Sequence, residues 1–322
     1  MRAIEVDSEK KLHWREVSDP ALRAEEVLIH VHAAGVNRAD LLQVMGLYPP
    51  PKGASQILGL EVAGEVIEVG SKVHGVEKGD RVSALLAGGG YAERVAVDYR
   101  LLFEVPDFMS FETATAIPEV WITAYLNLCL EANLKAGERV LIHAGASGVG
   151  TAAIQIALFL GAEVFTTSGG ERKSAFCKSL GAHYSINYKS KNFFDEIHTI
   201  TGGEGVDVIL DAIGGAYFPH HLKLLRHGGR LVQIALMNGV EATIDLRLLL
   251  AKKLRLIGST LRNRSINEKA QIIEKFKSEI YPELVNQSLK PVIDSVFSVL
   301  DVSKAHERMK NNENIGKIIL KI

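Results

Sequence analysis

The apolar positions change rhythm once along the chain. Between Met1 and about Pro118, short apolar-containing runs are cut off by Gly and Pro: Arg2–Val6, Val27–His32, Val62–Val69, Asp80–Ala84 and Ala92–Val97. Glu65-Val66-Ile67-Glu68-Val69 sets polar against apolar positions, as a half-buried strand does. Pro49-Pro50-Pro51, Lys78-Gly79-Asp80 and Gly88-Gly89-Gly90 supply the turns between runs. This half predicts an antiparallel, barrel-like domain. From Glu138 the runs become short, continuous and apolar, with helix-like segments between them. Candidate strands begin near Val140, Val164, Tyr184, Val206, Arg230 and Leu254, at offsets of 24, 20, 22, 24 and 24. Strands at that spacing with helical crossovers predict a parallel, doubly wound sheet whose inner strands are buried on both faces. Val206-Asp207-Val208-Ile209-Leu210 and Leu231-Val232-Gln233-Ile234 suit such burial, and Leu256-Ile257-Gly258 reads as the sixth strand. A helix over about Asn267 to Val285 and a strand over Ile315 to Ile322 remain. Six strands already complete the sheet, so this tail is expected to return to the first domain. Pro118, which removes an N–H donor, is expected to interrupt the helix there and mark the crossing. The expected division is 1–119 with 262–322, and 120–261.

The sharpest local motif is His143-Ala144-Gly145-Ala146-Ser147-Gly148-Val149-Gly150. It follows a predicted strand and opens a predicted helix, the context in which a glycine-rich turn holds a pyrophosphate. Gly145 is expected to make the tight turn and Gly150 to let helix pack on strand. The N–H groups around Gly148 and Val149 would face the phosphates. Ser147 replaces the middle glycine, and its hydroxyl could donate to a phosphate or reach the nicotinamide side. An NAD site places Asp or Glu at the end of the second strand. Here that strand ends Thr166-Thr167-Ser168-Gly169-Gly170, without a carboxylate. Glu171 comes later, at a helix start, where it suits the helix dipole. Small residues Ser168 and Gly169, with Lys173 or Arg172 nearby and Tyr188 after the third strand, favour NADP(H) over NAD(H). A solvated helix face is the competing reading for one of the two cations.

Composition narrows the class. Of 322 residues, 47% are hydrophobic and 23% charged, which argues against disorder. Lys and Arg total 37 against 38 Asp and Glu, a net charge of −1 that gives no support for nucleic-acid binding. Two cysteines, Cys129 and Cys177, cannot build a disulfide framework or a tetra-thiolate zinc site and read as buried thiols. The charged N-terminal segment has no apolar core of a signal peptide, and the run Thr151 to Phe165 is too short and broken to span a bilayer. The expectation is a cytoplasmic protein with no membrane partner.

Several further segments carry a resemblance: Gly35-Val36-Asn37-Arg38-Ala39-Asp40, Tyr48-Pro49-Pro50-Pro51, Gly59-Leu60-Glu61-Val62-Ala63-Gly64, Ile117-Pro118-Glu119, Gly181-Ala182, Asn187-Tyr188 and Asn314-Ile315-Gly316-Lys317. Together they make the chain resemble, over essentially its whole length, the medium-chain dehydrogenase/reductase superfamily, and within it the zinc-independent quinone oxidoreductases. The resemblance implies an α/β protein with a GroES-like β-barrel catalytic domain, a six-stranded Rossmann domain and a cofactor cleft between them. It also implies a homodimer paired through the sixth strands, for which Leu256-Ile257-Gly258-Ser259-Thr260 is apolar enough. It puts Asn37 and Tyr48 near nicotinamide and substrate, and Ser147 at the cofactor, influencing turnover. Thr123, Leu236 and Lys317 follow as cofactor-side candidates, although Lys317 could equally be a strand-end charge. Arg262 and Arg264 are left open between cleft and surface. Tyr48 divides evenly between bonding or stacking on an acceptor and serving as a loop tyrosine braced by three prolines.

The zinc branch of the superfamily carries a Cys where Asn37 stands, a His where Leu60 stands and a four-cysteine lobe. None is present here. Eleven histidines remain, with His220-His221 a tempting pair. Helix neighbours point about 100° apart and rarely share a metal, so these read as surface histidines and no metal site is expected. Without a Lewis acid for an alkoxide, ordinary alcohol dehydrogenation is disfavoured. The expected chemistry is NADPH-dependent reduction of a quinone, whose product delocalises charge over its own oxygens. Alkenal or enone reduction, with Tyr48 as proton donor, is the second reading. A non-catalytic NADPH-binding protein, as some lens relatives are, is the third.

Overall fold

The computed structural model describes residues 1–322 as two compact units: Met1–Ile122 with Leu261–Ile322, and Thr123–Thr260. The first unit opens with strands β1 (Arg2–Val6), β2 (Leu12–Glu16) and β3 (Glu26–Val36), helix α1 (Arg38–Val44), then β4 (Glu61–Val69), β5 (Arg81–Leu85), β6 (Arg94–Asp98) and β7 (Leu102–Glu104). Helices α2 (Phe111–Thr115) and α3 (Pro118–Tyr125) lead out of it. The second unit runs β8 (Arg139–Ile142), α4 (Gly148–Phe159), β9 (Glu163–Ser168), α5 (Glu171–Ser179), β10 (Tyr184–Asn187), α6 (Phe193–Ile200), β11 (Val206–Asp211), α7 (Phe218–Leu224), β12 (Leu225–Gln233), α8 (Leu246–Ala251) and β13 (Arg255–Gly258). The chain then returns through α9 (Ile266–Glu279), α10 (Tyr281–Val285), β14 (Ile293–Ser298), α11 (Val302–Lys310) and β15 (Lys317–Lys321).

In the first unit seven strands form one sheet in the order β14-β15-β3-β4-β5-β7, with β6 also on β3. β15 pairs antiparallel with β3, so the C-terminal strand closes the N-terminal barrel. Val27, Ile29 and Val31 of β3 and Ile318 to Leu320 of β15 are all essentially inaccessible, which is why this join holds without a covalent tie. Burial of each such side chain contributes roughly 1.5–3 kcal/mol.

In the second unit the order is β10-β9-β8-β11-β12-β13, with every neighbouring pair parallel. This is the 3-2-1-4-5-6 order of a dinucleotide-binding sheet, a Rossmann fold. Val140 to Ile142 of β8 and Val208 to Leu210 of β11 are buried on both faces, as their continuous apolar runs foretell.

Some elements differ from their sequence pattern. Pro118 does not interrupt a helix but opens α3, where the missing N–H would be unsatisfied anyway. The helix expected over 267–285 is two helices broken at Ile280, with Pro282 placed early in the second. β2, β7 and β14 carry too little periodicity to be foreseen, since pairing with better-defined neighbours makes them strands. No helix is long and apolar enough to cross a membrane.

Candidate active site

In the second unit the chemistry gathers at the carboxyl ends of the strands. The turn after β8 is taken by Ala144, at φ 52°, and not by Gly145. Gly145 is needed for a different reason: a Cβ there would stand 2.8 Å from the Thr166 Cβ on β9. A Cβ on Gly150 would lie 2.3 Å from the Ala144 carbonyl, so α4 can rise this close to the turn only with glycine. Ser147 is the N-cap of α4, its Oγ accepting from the Gly150 N–H at 3.0 Å. The hydroxyl foreseen as a phosphate donor therefore first secures the helix start. Gly148 and Val149 follow in the first turn, whose N–H groups have no acceptor within the helix.

Beside this cradle, β9 ends at Ser168, whose Oγ is buried and makes no hydrogen bond. Such an atom is costly unless a ligand pairs it. Gly169 lies under the Tyr188 hydroxyl, only 2.6 Å from where a Cβ would be. Asn187 accepts from the Gly170 N–H at 2.9 Å and donates to Glu171 Oε1 at 2.7 Å, so the nearest carboxylate is held by its own neighbour. Lys173 sits one turn into α5, half-buried, while Arg172 is exposed. The orphaned Ser168 Oγ, the two glycine approaches and the free first-turn N–H groups fit the phosphates and ribose of a dinucleotide. Thr123 gives its carbonyl to Asn127 Nδ2 at 2.7 Å, and Leu236 is an exposed loop residue whose side chain lies against Gly214.

His221 is wholly buried, not a surface residue, and its partner is not His220 but His143, with Nε2 atoms 2.9 Å apart. His143 Nδ1 lies 2.8 Å from Thr167 Oγ1, and His221 Nδ1 is 3.8 Å from Asp211 Oδ2. Desolvation pushes His143 well below the usual imidazole range and His221 to about 3, so both rings are neutral. The three residues could be mistaken for a metal site. One ligand atom from each lies within 4.8 Å of the other two, but the two Nε2 atoms already face each other at 2.9 Å, a hydrogen-bond contact.

The first unit contains a second cluster. Lys317 on β15 is 3% exposed and Glu61 on β4 is 0% exposed, with Nζ 2.5 Å from Oε1. The ammonium also donates to Asn37 Oδ1 at 2.7 Å and to the Val36 carbonyl at 2.8 Å, and Asn37 Nδ2 donates to Glu61 Oε1 at 2.9 Å. Lys317 is thus a buried partner of Asn37, not a solvated strand-end charge. Its β3 neighbour Gly35 makes the room, since a Cβ there would meet the Glu61 carboxyl at 2.3 Å. Asp40, wholly buried, accepts from the N–H groups of Asn37 and Gly59 and from the Tyr91 hydroxyl. Burial raises it to about 6 against those bonds.

Tyr48 is not simply braced by its prolines. Its ring lies over the Arg262 guanidinium, 5.3 Å from centroid to Cζ. Arg262, 3% exposed, donates to the carbonyls of Ala87 and Tyr48 and to Gln43 Oε1. That resolves its open reading: it is interior, not surface. Burial, then the Glu119 carboxyl, raise the Tyr48 phenol. The roles of Glu119 and Glu61, and the pairing of His143 with His221, escape a reading of the sequence. For the two acids the signal is an ionisable residue inside an apolar run, as in Gly59-Leu60-Glu61-Val62 or Ile117-Pro118-Glu119.

Comparison with known proteins places this geometry. Residues 23–107 match the alcohol dehydrogenase GroES-like domain and residues 148–278 the zinc-binding dehydrogenase family. The chain is 32% identical to the human quinone oxidoreductase over 99% of its own length and 96% of the relative's. It belongs to the quinone oxidoreductase family of medium-chain dehydrogenases/reductases. Within that family, the structure of the Escherichia coli quinone oxidoreductase complexed with NADPH superposes at a TM-score of 0.89, with 27% identity, covering 100% of this chain and 99% of that one. The CurK enoyl reductase superposes at 0.88 with 30% identity, covering 99% and 98%. A phenolphthiocerol/phthiocerol polyketide synthase subunit of Mycobacterium tuberculosis is also 32% identical, over 97% of this chain, but the chain spans only 14% of that protein's length.

Proposed function

We propose that this protein is an NADPH-dependent quinone oxidoreductase that works without a metal ion. The observation that carries the reading is the end-to-end likeness to the human quinone oxidoreductase. The cofactor preference rests on the end of β9, where Ser168 Oγ is left without a partner and no carboxylate stands ready for a ribose 2′-hydroxyl. When bound, NADPH would supply the hydride. Gly145, Gly148, Val149 and Gly150 would hold its pyrophosphate at the start of α4, with Ser147 fixing that start. Ser168, Gly169, Lys173 and Tyr188 would take the 2′-phosphate end, and Thr123 and Leu236 would line the cofactor further along. Asn37, held rigid by Lys317, and Tyr48, held by Arg262, would orient nicotinamide and acceptor. The donor set argues against zinc. The position beside Asn37 already holds the Lys317 ammonium, whose charge would repel a second cation, and Leu60 is an apolar core residue.

Enone reduction is the second reading, favoured by the likeness to the CurK enoyl reductase. Both are tested by following loss of the reduced-nicotinamide absorbance with NADPH and with NADH. The acceptors are an ortho-naphthoquinone, a para-quinone and a short alkenal. NADPH-preferring quinone turnover is expected; alkenal turnover alone would replace the first reading by the second. Lys173→Ala is expected to weaken NADPH binding roughly 10- to 100-fold, the worth of one charge-assisted hydrogen bond, and NADH binding little. Equal losses would remove Lys173 from the 2′-phosphate site.

A homodimer in the cytoplasm completes the proposal. β13 pairs only with β12, leaving its other edge open, and Val240, Leu246 and Leu250 of the same unit are exposed.

A further inference from the structure

One acid of the barrel unit has a buried carboxyl oxygen without a hydrogen-bond partner. Glu119 stands in the first turn of α3, and its backbone N–H donates to Glu61 Oε2 at 2.8 Å. Its own Oε2 is buried and makes no hydrogen bond. The cations around it are engaged elsewhere. Lys317 is held by Glu61, Asn37 and the Val36 carbonyl; Lys269 on α9 gives its Nζ to the Arg262 carbonyl at 2.7 Å; Arg262 is held by three acceptors. The charges that face Glu119 are therefore Asp40 on α1, Glu61 on β4, Lys269 on α9, Lys317 on β15, and Arg262 and the Tyr48 phenol from their loops. A buried carboxyl beside another carboxylate is least costly as the neutral acid, and a neutral acid is a hydrogen-bond donor.

We propose that Glu119 is the general acid of the acceptor site, a catalytic residue whose carboxyl gives its proton to the oxygen of the reduced acceptor. The inference rests on the oxidoreductase reading above and names the proton donor for it. The acceptor receives a hydride, two electrons and one hydrogen nucleus, and its carbonyl oxygen becomes anionic. The Glu119 O–H bond breaks, an O–H bond forms on the acceptor, and Glu119 is left as carboxylate. A proton from water restores it. For a quinone the product is the hydroquinone; for an enone it is the enol, which tautomerises in water. Desolvation first, and Glu61 second, raise the Glu119 carboxyl to about 8, so it carries its proton at neutral pH yet can release it. The Tyr48 phenol is pushed above its ordinary value of 10.0 and is the poorer match to that task.

Glu119→Gln keeps the shape and removes the acid; Glu119→Asp keeps the acid. Infrared spectra of the protein without cofactor are expected to show a protonated-carboxyl C=O band in the wild type. That band should fade as pH rises through about 8 and be absent from Glu119→Gln. Turnover of a quinone by the wild type should fall over the same range. Glu119→Gln should lower kcat roughly 10²- to 10⁴-fold and flatten that limb, with NADPH binding unchanged by fluorescence, while Glu119→Asp retains a limb. A wild type that reduces quinone beside a Glu119→Gln variant with the same kcat and pH profile would overturn the proposal, as would a carboxyl band unaltered by the substitution. A wild type that binds NADPH but reduces no quinone or alkenal would instead overturn the oxidoreductase reading, and this role with it.

Discussion

Lys317 shows how a single side chain can support both fold and site. Its ammonium offsets the Glu61 carboxylate in a place with almost no water, and the pair holds Asn37 by both ends of its amide. Buried pairs contribute little net stability relative to apolar isosteres, but losing one partner strands the other charge. Lys317→Met is therefore expected to cost about 3–5 kcal/mol in urea denaturation, and the double variant with Glu61→Gln to recover most of that. A single-variant cost below ~1 kcal/mol would mean that Glu61 finds another partner or takes a proton. The sequence offered Lys317 only as one of two alternatives. The choice depends on β15 lying beside β3, 281 positions away from the Val36 carbonyl that the lysine bonds.

Among the elements, the strand-to-helix turn at β8–α4 was the most legible and still departed from its pattern. The glycines are required where expected, but Gly145 serves the approach to Thr166 while Ala144 adopts the left-handed backbone. The motif encodes a close packing of helix, turn and strand, and which residue bends is settled by that packing. Strand β13 carries a prediction of its own. If two copies pair through its open edge, Ile257→Lys should convert a dimer to a monomer in analytical ultracentrifugation while leaving the fold intact by circular dichroism, because an edge lysine opposes strand addition. An unchanged sedimentation coefficient would put the interface elsewhere, for which the exposed Leu246 and Leu250 of α8 are the next place to look.

For the whole molecule, the buried histidines set an acid limit. Desolvation lowers His306 to about 4 and His221 to about 3, with His143 also well below its ordinary value. Below the unfolded imidazole value of about 6.5 the unfolded chain takes up protons that the native one refuses. Stability is then full above that pH and falls as pH drops toward 3. His306 alone accounts for about 3 kcal/mol of the loss by pH 4. Urea midpoints measured from pH 7 to 4 should fall steeply, and less steeply in His306→Gln; parallel curves would assign the acid lability to other groups. Glu119 acts in the opposite sense. Its native carboxyl keeps a proton that the unfolded one has lost, so its contribution declines as pH rises from about 4.5 to about 8.

By itself the sequence determined the two-unit α/β architecture, the presence of six strands in a parallel sheet, the glycine turn and the absence of a carboxylate at the end of β9. These are written in local patterns, because strand burial, crossover length and turn chemistry are properties of adjacent residues. Tertiary structure alone decided that His221 meets His143, that Arg262 lies beneath Tyr48, and that Glu119 Oε2 is buried without a hydrogen bond beside Glu61. Those pairings join residues 58 to 214 positions apart. Their chemistry comes from desolvation and from which neighbours remain free to bond, and neither quantity exists until the sheets have closed.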